Sequence, residues 1–121
     1  MLAPTVDYDS ESDTLYVAFE PTESATGIEL NDHILLRLDK ERGRAVGLTL
    51  FEYSVLAQHT ELGPRSFPLT GLEDLAPHLH ELILEILQQP PVSNFLRLSA
   101  YTPSSTESIP IAALQPLAKA A

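Results

Sequence analysis

Two runs of alternating side chains, joined by a short polar connector, constrain this chain more than any other feature. His33 to Asp39 sets Ile34, Leu36 and Leu38 on one side, and His33, Leu35 and Arg37 on the other. Arg44 to Tyr53 sets Val46, Leu48 and Leu50 on one side and Phe51 on the other. A period of two is the mark of a strand, because successive Cβ atoms point to opposite faces. The connector Lys40-Glu41-Arg42-Gly43 ends on a glycine, which supplies positive φ without a Cβ clash. The two runs are therefore expected to pair antiparallel. Leu35 and Phe51 leave the second face partly apolar as well, so that face is expected to need a cover: the second half of the chain or another subunit.

Other segments extend the pattern. Val6 to Tyr8 reads as extended, and Asp9 to Asp13 as a polar turn of residues that bond their own backbone. Thr14 to Phe19 alternates, with Leu15, Val17 and Phe19 on one face, and Gly27 to Asn31 alternates again. Beyond residue 58 the composition shifts, since eight of the ten prolines lie there. Ser54 to Gln58 reads as a short helical turn and Glu61 to Leu69 as a connector. Thr70-Gly-Leu-Glu73 matches a capping box. Pro77 rules out one continuous helix from that box, so a short turn near 71–75 and a main helix near 76–89 are predicted. Pro90-Pro91 ends it. Phe95 to Tyr101 reads as a strand, Thr102 to Ser108 as a turn, and Ile109-Pro110-Ile111 as an edge segment because of its proline. Residues 112–121 read as a short helix or a fraying end. The expected fold is α+β: an antiparallel β-meander of about five strands packed on the helix near 76–89, with a further strand near 95–101. The whole is expected to form one domain, a β-rich module over 1–58 followed by connector, helix, strand and tail over 59–121.

Charge narrows the function. The formal net charge is −10, with seven basic residues against seventeen acidic ones. Nucleic-acid binding depends on neutralising phosphates with Lys and Arg, so that class is set aside. Residues 1–32 hold eight acids and no Lys or Arg, while Arg37, Lys40, Arg42 and Arg44 cluster within eight positions. Such segregation serves either solubility or recognition of a basic partner or a second copy. The absence of cysteine removes thiolate chemistry and disulfides and fits a reducing compartment. The amino-terminal stretch has neither a basic start nor an apolar run, and the apolar segment at 79–87 is interrupted by Glu81 and Glu85. A cytoplasmic protein with no membrane partner is the expectation.

Tested for chemistry, the constellations fall short. Asp7, Asp9, Glu11 and Asp13 have calcium-loop spacing at first. A loop counted from Asp7, however, meets Ser12 where a glycine is needed and Ala18 where the closing glutamate is needed. His78 and His80 point apart on a helix, whereas His78, Glu81 and Glu85 share one stripe that could hold a metal. Asp32-His33 is a carboxylate beside an imidazole, but neighbours on a strand face opposite ways. Tyr8, Tyr16, Tyr53 and Tyr101 could make an aromatic platform, yet tyrosines on strands commonly span the core edge with a wetted hydroxyl. No nucleophile elbow, phosphate-binding glycine loop or His-Glu-x-x-His is present. No catalytic, cofactor or metal residue is assigned.

The stretch from Val6 to about Gln58 resembles a bacterial family known as domain of unknown function 2283. The resemblance is carried by Tyr8-Asp9, by Asp13-Thr-Leu-Tyr-Val17, by the acidic-then-apolar run from Ile28 to Leu38, and by Arg44-Ala-Val-Gly-Leu-Thr-Leu50. It implies a compact β-rich module of bacteria and cyanobacteria, some of whose relatives neighbour small toxin-like proteins. The expected function is a non-enzymatic protein–protein interaction module that forms a homo-oligomer. The alternatives are a toxin-neutralising, antitoxin-like regulator and a metal-assisted hydrolase. The interaction residues predicted are Leu35, Arg37, Arg42, Arg44, Phe51 and Leu84, the last because helical spacing turns it away from Leu79, Ile83 and Ile86.

Overall fold

The polar turn after Asp9 folds the chain back on itself, so that β1 (Thr5–Asp9) pairs antiparallel with β2 (Thr14–Ala18). The computed structural model describes residues 4–22, 25–60, 63–104 and 106–115. Asp39 caps the next tight connection, its Oδ1 accepting the N–H groups of Glu41 and Arg42, and Gly43 adopts φ 64. That turn joins β4 (Ile34–Asp39) to β5 (Arg44–Phe51), the antiparallel pair the alternation predicts. A register shift inserts Val46 as a bulge between the Arg37–Gly47 and Leu38–Ala45 pairs.

The sheet is not a simple meander. Its order is β1-β2-β5-β4-β3, with β3 (Thr26–Glu29) at the far edge and β5 in the middle. β5 is the eight-residue strand, buried from Ala45 through Leu50, and a strand buried on both faces belongs at the centre. β2 therefore pairs with β5, and the polar break after Glu20 carries the chain across to the opposite edge.

After β5 comes α1 (Tyr53–Leu56). The expected connector at 61–69 contains more order than its prolines announce. β6 (His59–Thr60) pairs with β7 (Gly63–Pro64), and β8 (Ser66–Pro68) joins a second sheet. The capping box does not form: Thr70 already lies inside a 3-10 turn, Thr70–Asp74, with no side-chain cap. α2 runs Pro77–Leu87 with its proline in the first turn, where the missing N–H has no intrahelical partner to lose. A second 3-10 turn, Val92–Asn94, leads into β9 (Leu96–Ser104).

β10 (Glu107–Leu114) corrects two expectations. The second sheet has the order β8-β10-β9, so the segment holding Pro110 is central rather than an edge, and Ala112 to Leu114 are strand rather than helix. Residues 116–121 of that predicted tail lie outside the described residues. The proline is tolerated because the β8 ladder stops at Ile111–Pro68. The Pro110 carbonyl accepts Leu69 N–H on that side, so its missing N–H also faces the side where the ladder has ended. The predicted turn at 102–108 shrinks to the gap between Ser104 and Glu107.

One hydrophobic cluster unites both halves. Leu36, Leu48 and Leu50 from the first sheet share it with Leu72, Ile83 and Leu96 from the second half. Full burial of each such side chain contributes roughly 1.5–3 kcal/mol. Leu84 belongs here too: it is half-buried and packs against the cluster, not away from it. Among the described residues no helix is long and apolar enough to cross a membrane.

Candidate interaction face

Strand register fixes what stands on the other side of the first sheet. Residues directly opposite in neighbouring strands share a face. One row across the sheet is Asp7, Tyr16, Thr49, Leu35 and Glu29. The next is Thr5, Ala18, Gly47, Arg37 and Gly27. A third holds Asp9, Thr14 and Phe51. None of these residues belongs to the hydrophobic cluster, which draws on the opposite side of the same strands. The second half of the chain thus covers the inner face. On the outer face Tyr16 stays 46% exposed and Phe51 39%.

The centre of the outer face is closely packed. Thr49 is 6% exposed because Tyr16 and Leu35 flank it on the two neighbouring strands. At Gly47 an added Cβ would meet the Val17 carbonyl oxygen at 2.8 Å, and Arg37 Cδ and Nη1 lie 3.6 Å from the same point. The backbone clash with Val17 is what calls for glycine there, since the Arg37 atoms stand at ordinary contact distance. Arg37 is exposed, and the acids of its face, Asp7, Asp9 and Glu29, occupy the two edge strands.

One end of the sheet is braced. Asp13 sits at φ 53, a left-handed conformation that turns its carboxylate toward α1. That carboxylate accepts the Ser54 hydroxyl, the Ser54 N–H at 3.2 Å and the Tyr8 hydroxyl at 2.7 Å, while its own carbonyl accepts Tyr53 N–H at 2.8 Å. Residues 5–54 match the family described as "Protein of unknown function (DUF2283)". No curated protein and no solved structure matches the chain. The DUF2283 segment begins at the first residue of β1 and ends at Ser54, the residue Asp13 holds. It contains the strands of the outer face, and Leu72, Ile83 and Leu96, beyond the match, share the cluster on the inner side.

The brace is titratable. The Ser54 hydrogen bond, followed by that from Tyr8, holds the Asp13 carboxyl below its ordinary value of 3.8, and the bond to Asp13 raises the Tyr8 phenol. A depressed carboxyl contributes stability that is fully present above its unfolded value. It is lost as pH falls through the lower folded value. Urea unfolding at pH 7 and pH 2.5 is expected to show a larger loss on acidification for the wild type than for Asp13→Asn, which has no charge to lose there.

The DUF2283 segment's remaining predicted contacts are satisfied within the chain. Arg44 Nη2 donates to Glu20 Oε2 at 2.7 Å, and Arg42 reaches Glu20 at 3.7 Å and Asp39 at 3.8 Å. These two arginines hold the end of the sheet together, whereas Leu35, Arg37 and Phe51 lie on the open face. His33 pairs not with Asp32 but with Glu52, Nε2 to Oε1 3.2 Å, and its ring lies 5.4 Å from Phe67. Among the described residues no three His, Asp or Glu side chains gather to hold a metal, His78, Glu81 and Glu85 included. Two open clefts flank Glu20, one of about 370 Å³ beside the β4–β5 turn and one of about 560 Å³ between Phe19, Ala45, Ile86 and Pro90-Pro91. No imidazole lines either. Tyr16, weighed in the sequence only as part of an aromatic platform, is the face residue absent from the predicted interaction set. Its signal is the Leu15-Tyr16-Val17 alternation, which places it beside Leu35 only once β2 is known to pair with β5.

Proposed function

We propose that the chain is a non-enzymatic protein–protein interaction module, a single cytoplasmic domain whose outer sheet face pairs with the same face of a second copy. The observation that carries this is the pair of exposed rings, Tyr16 and Phe51, with half-buried Leu35 around a buried Thr49, on the sheet face opposite the hydrophobic cluster. An isologous pair lets each Arg37 approach the acidic edge of the other copy, which sets orientation more than affinity. In this reading α2 and the second sheet together form the layer that leaves the outer face free for a partner.

Light scattering across a concentration series tests it. The wild type is expected to reach a two-chain mass at micromolar concentration. Tyr16→Glu with Phe51→Glu is expected to weaken pairing at least about thirtyfold, the effect of losing a buried aromatic anchor. A wild type that stays at the one-chain mass throughout would remove the proposal. The antitoxin-like alternative draws on the exposed acids Asp7, Asp9 and Glu11. It predicts capture of a basic protein that weakens with salt. Self-pairing of two chains that each carry −10 is expected to tighten with salt.

A further inference from the structure

The edge strand β1 differs from the rest of the sheet. It stands at one end of the sheet order, and all five of its residues are exposed. Val6 and Tyr8 lie opposite Val17 and Leu15, which are 2% and 3% exposed, so they share the core side of the sheet. Yet they remain 46% and 47% exposed, although the Tyr8 ring lies 5.8 Å from that of Tyr53 and its hydroxyl donates to Asp13. Among the described residues β1 is bonded to β2 alone, on one side. Its other side presents open backbone donors and acceptors, with apolar side chains on one face and Asp7 and Asp9 on the other.

An open edge invites a further strand, and charge decides which. A second β1 in the full-length antiparallel register centred on Asp7 would set Asp7 against Asp7, and like charges directly opposite are destabilising. A basic strand meets the reverse situation. No Lys or Arg occurs in residues 1–32, and Arg44, which lines a cleft with Pro4 next to the strand, is already paired with Glu20 at 2.7 Å. We propose that β1 captures an extended segment of another protein as a sixth strand. In that segment Lys or Arg alternates with apolar residues: the cations face Asp7 and Asp9, and the apolar side chains lie beside Val6 and Tyr8. Backbone hydrogen bonds supply affinity and the alternating side chains supply selectivity. Strand capture uses the open backbone edge and self-pairing the rings of Tyr16 and Phe51; the two share only the acids Asp7 and Asp9, so each can fail alone.

Two blocked hexapeptides of identical composition test the proposal, one alternating lysine and valine, the other with all lysines preceding all valines. Binding is read by fluorescence anisotropy and by hydrogen exchange of the β1 amides. The alternating peptide is expected to bind about tenfold tighter than the block peptide and to slow exchange along β1. Asp7→Lys should weaken it about fivefold. Glu11→Lys makes the same charge change in the β1–β2 loop, off the strand, and should alter binding less than about twofold. Equal binding of the two peptides, equal effects of the two substitutions, unprotected β1 amides or no binding at millimolar peptide would each overturn it.

Discussion

Gly71→Ala is expected to lower the stability of the chain by about 3 kcal/mol or more, read as a fall in the urea midpoint with an unchanged slope. Gly71 is the second residue of the 3-10 turn that lays the second half against the end of β3. Its N–H donates to the Leu30 carbonyl at 2.9 Å. A Cβ at this position would stand 1.8 Å from the Glu29 carbonyl oxygen and 2.9 Å from the Glu29 carbonyl carbon. Both atoms are backbone, so no rotamer change relieves the clash, and β3 or the turn must move. The loss would fall on a junction with little redundancy. Asn31 closes the adjacent β3–β4 turn by accepting the N–H groups of His33 and Ile34, and it reaches across to the Pro68 carbonyl at 3.0 Å. Domains of this size are stable by about 5–15 kcal/mol in total. A loss near 3 kcal/mol is therefore visible without denaturing the protein outright. An unchanged midpoint would mean that the turn does not sit on β3 as described.

Ile83→Ala should produce a loss of comparable size, about 2–5 kcal/mol, by leaving a cavity that the surroundings fill only in part. Ile83 is fully buried in α2 and shares one cluster with the sheet leucines. The variant therefore asks whether helix and sheet unfold together. Coincident fluorescence and circular-dichroism transitions at a lower midpoint are expected. A cost below about 1 kcal/mol, or helix loss that leaves the sheet transition in place, would separate α2 from the cooperative core.

Sequence patterning carried the first half of this fold further than the second, for physical reasons. β2 and β4 alternate between buried and more exposed positions, and that one-sided burial is what alternation records, while β5 is buried from Ala45 through Leu50 and shows as a nearly continuous apolar run. α2 was legible because Leu79, Ile83 and Ile86 follow its turns. Sheet order was not legible. Pairing of β2 with β5 joins residues as far apart as Thr14 and Phe51, and periodicity says which face is buried but not which strand lies beside it. β8 and β10 were obscured by proline, whose usual exclusion from central strands is lifted at Pro110 by the early end of the β8 ladder.

The candidate face follows the same logic. Leu35 and Phe51 could be read as outward-facing from their own strands, but Tyr16 joins them only through register. Arg42 and Arg44 looked available in the sequence because their partner Glu20 lies more than twenty residues away. Leu84 looked exposed because helical spacing shows the near side of the core and not the chain packed around the helix.

The most direct test of the outer face as a self-pairing surface is an isotope-filtered nuclear Overhauser experiment on an equimolar mixture of labelled and unlabelled chain. Cross-peaks between copies are expected from the rings of Tyr16 and Phe51 to each other and to the methyl groups of Leu35. Cross-peaks confined to other surfaces, or none between copies at millimolar concentration, would contradict the account.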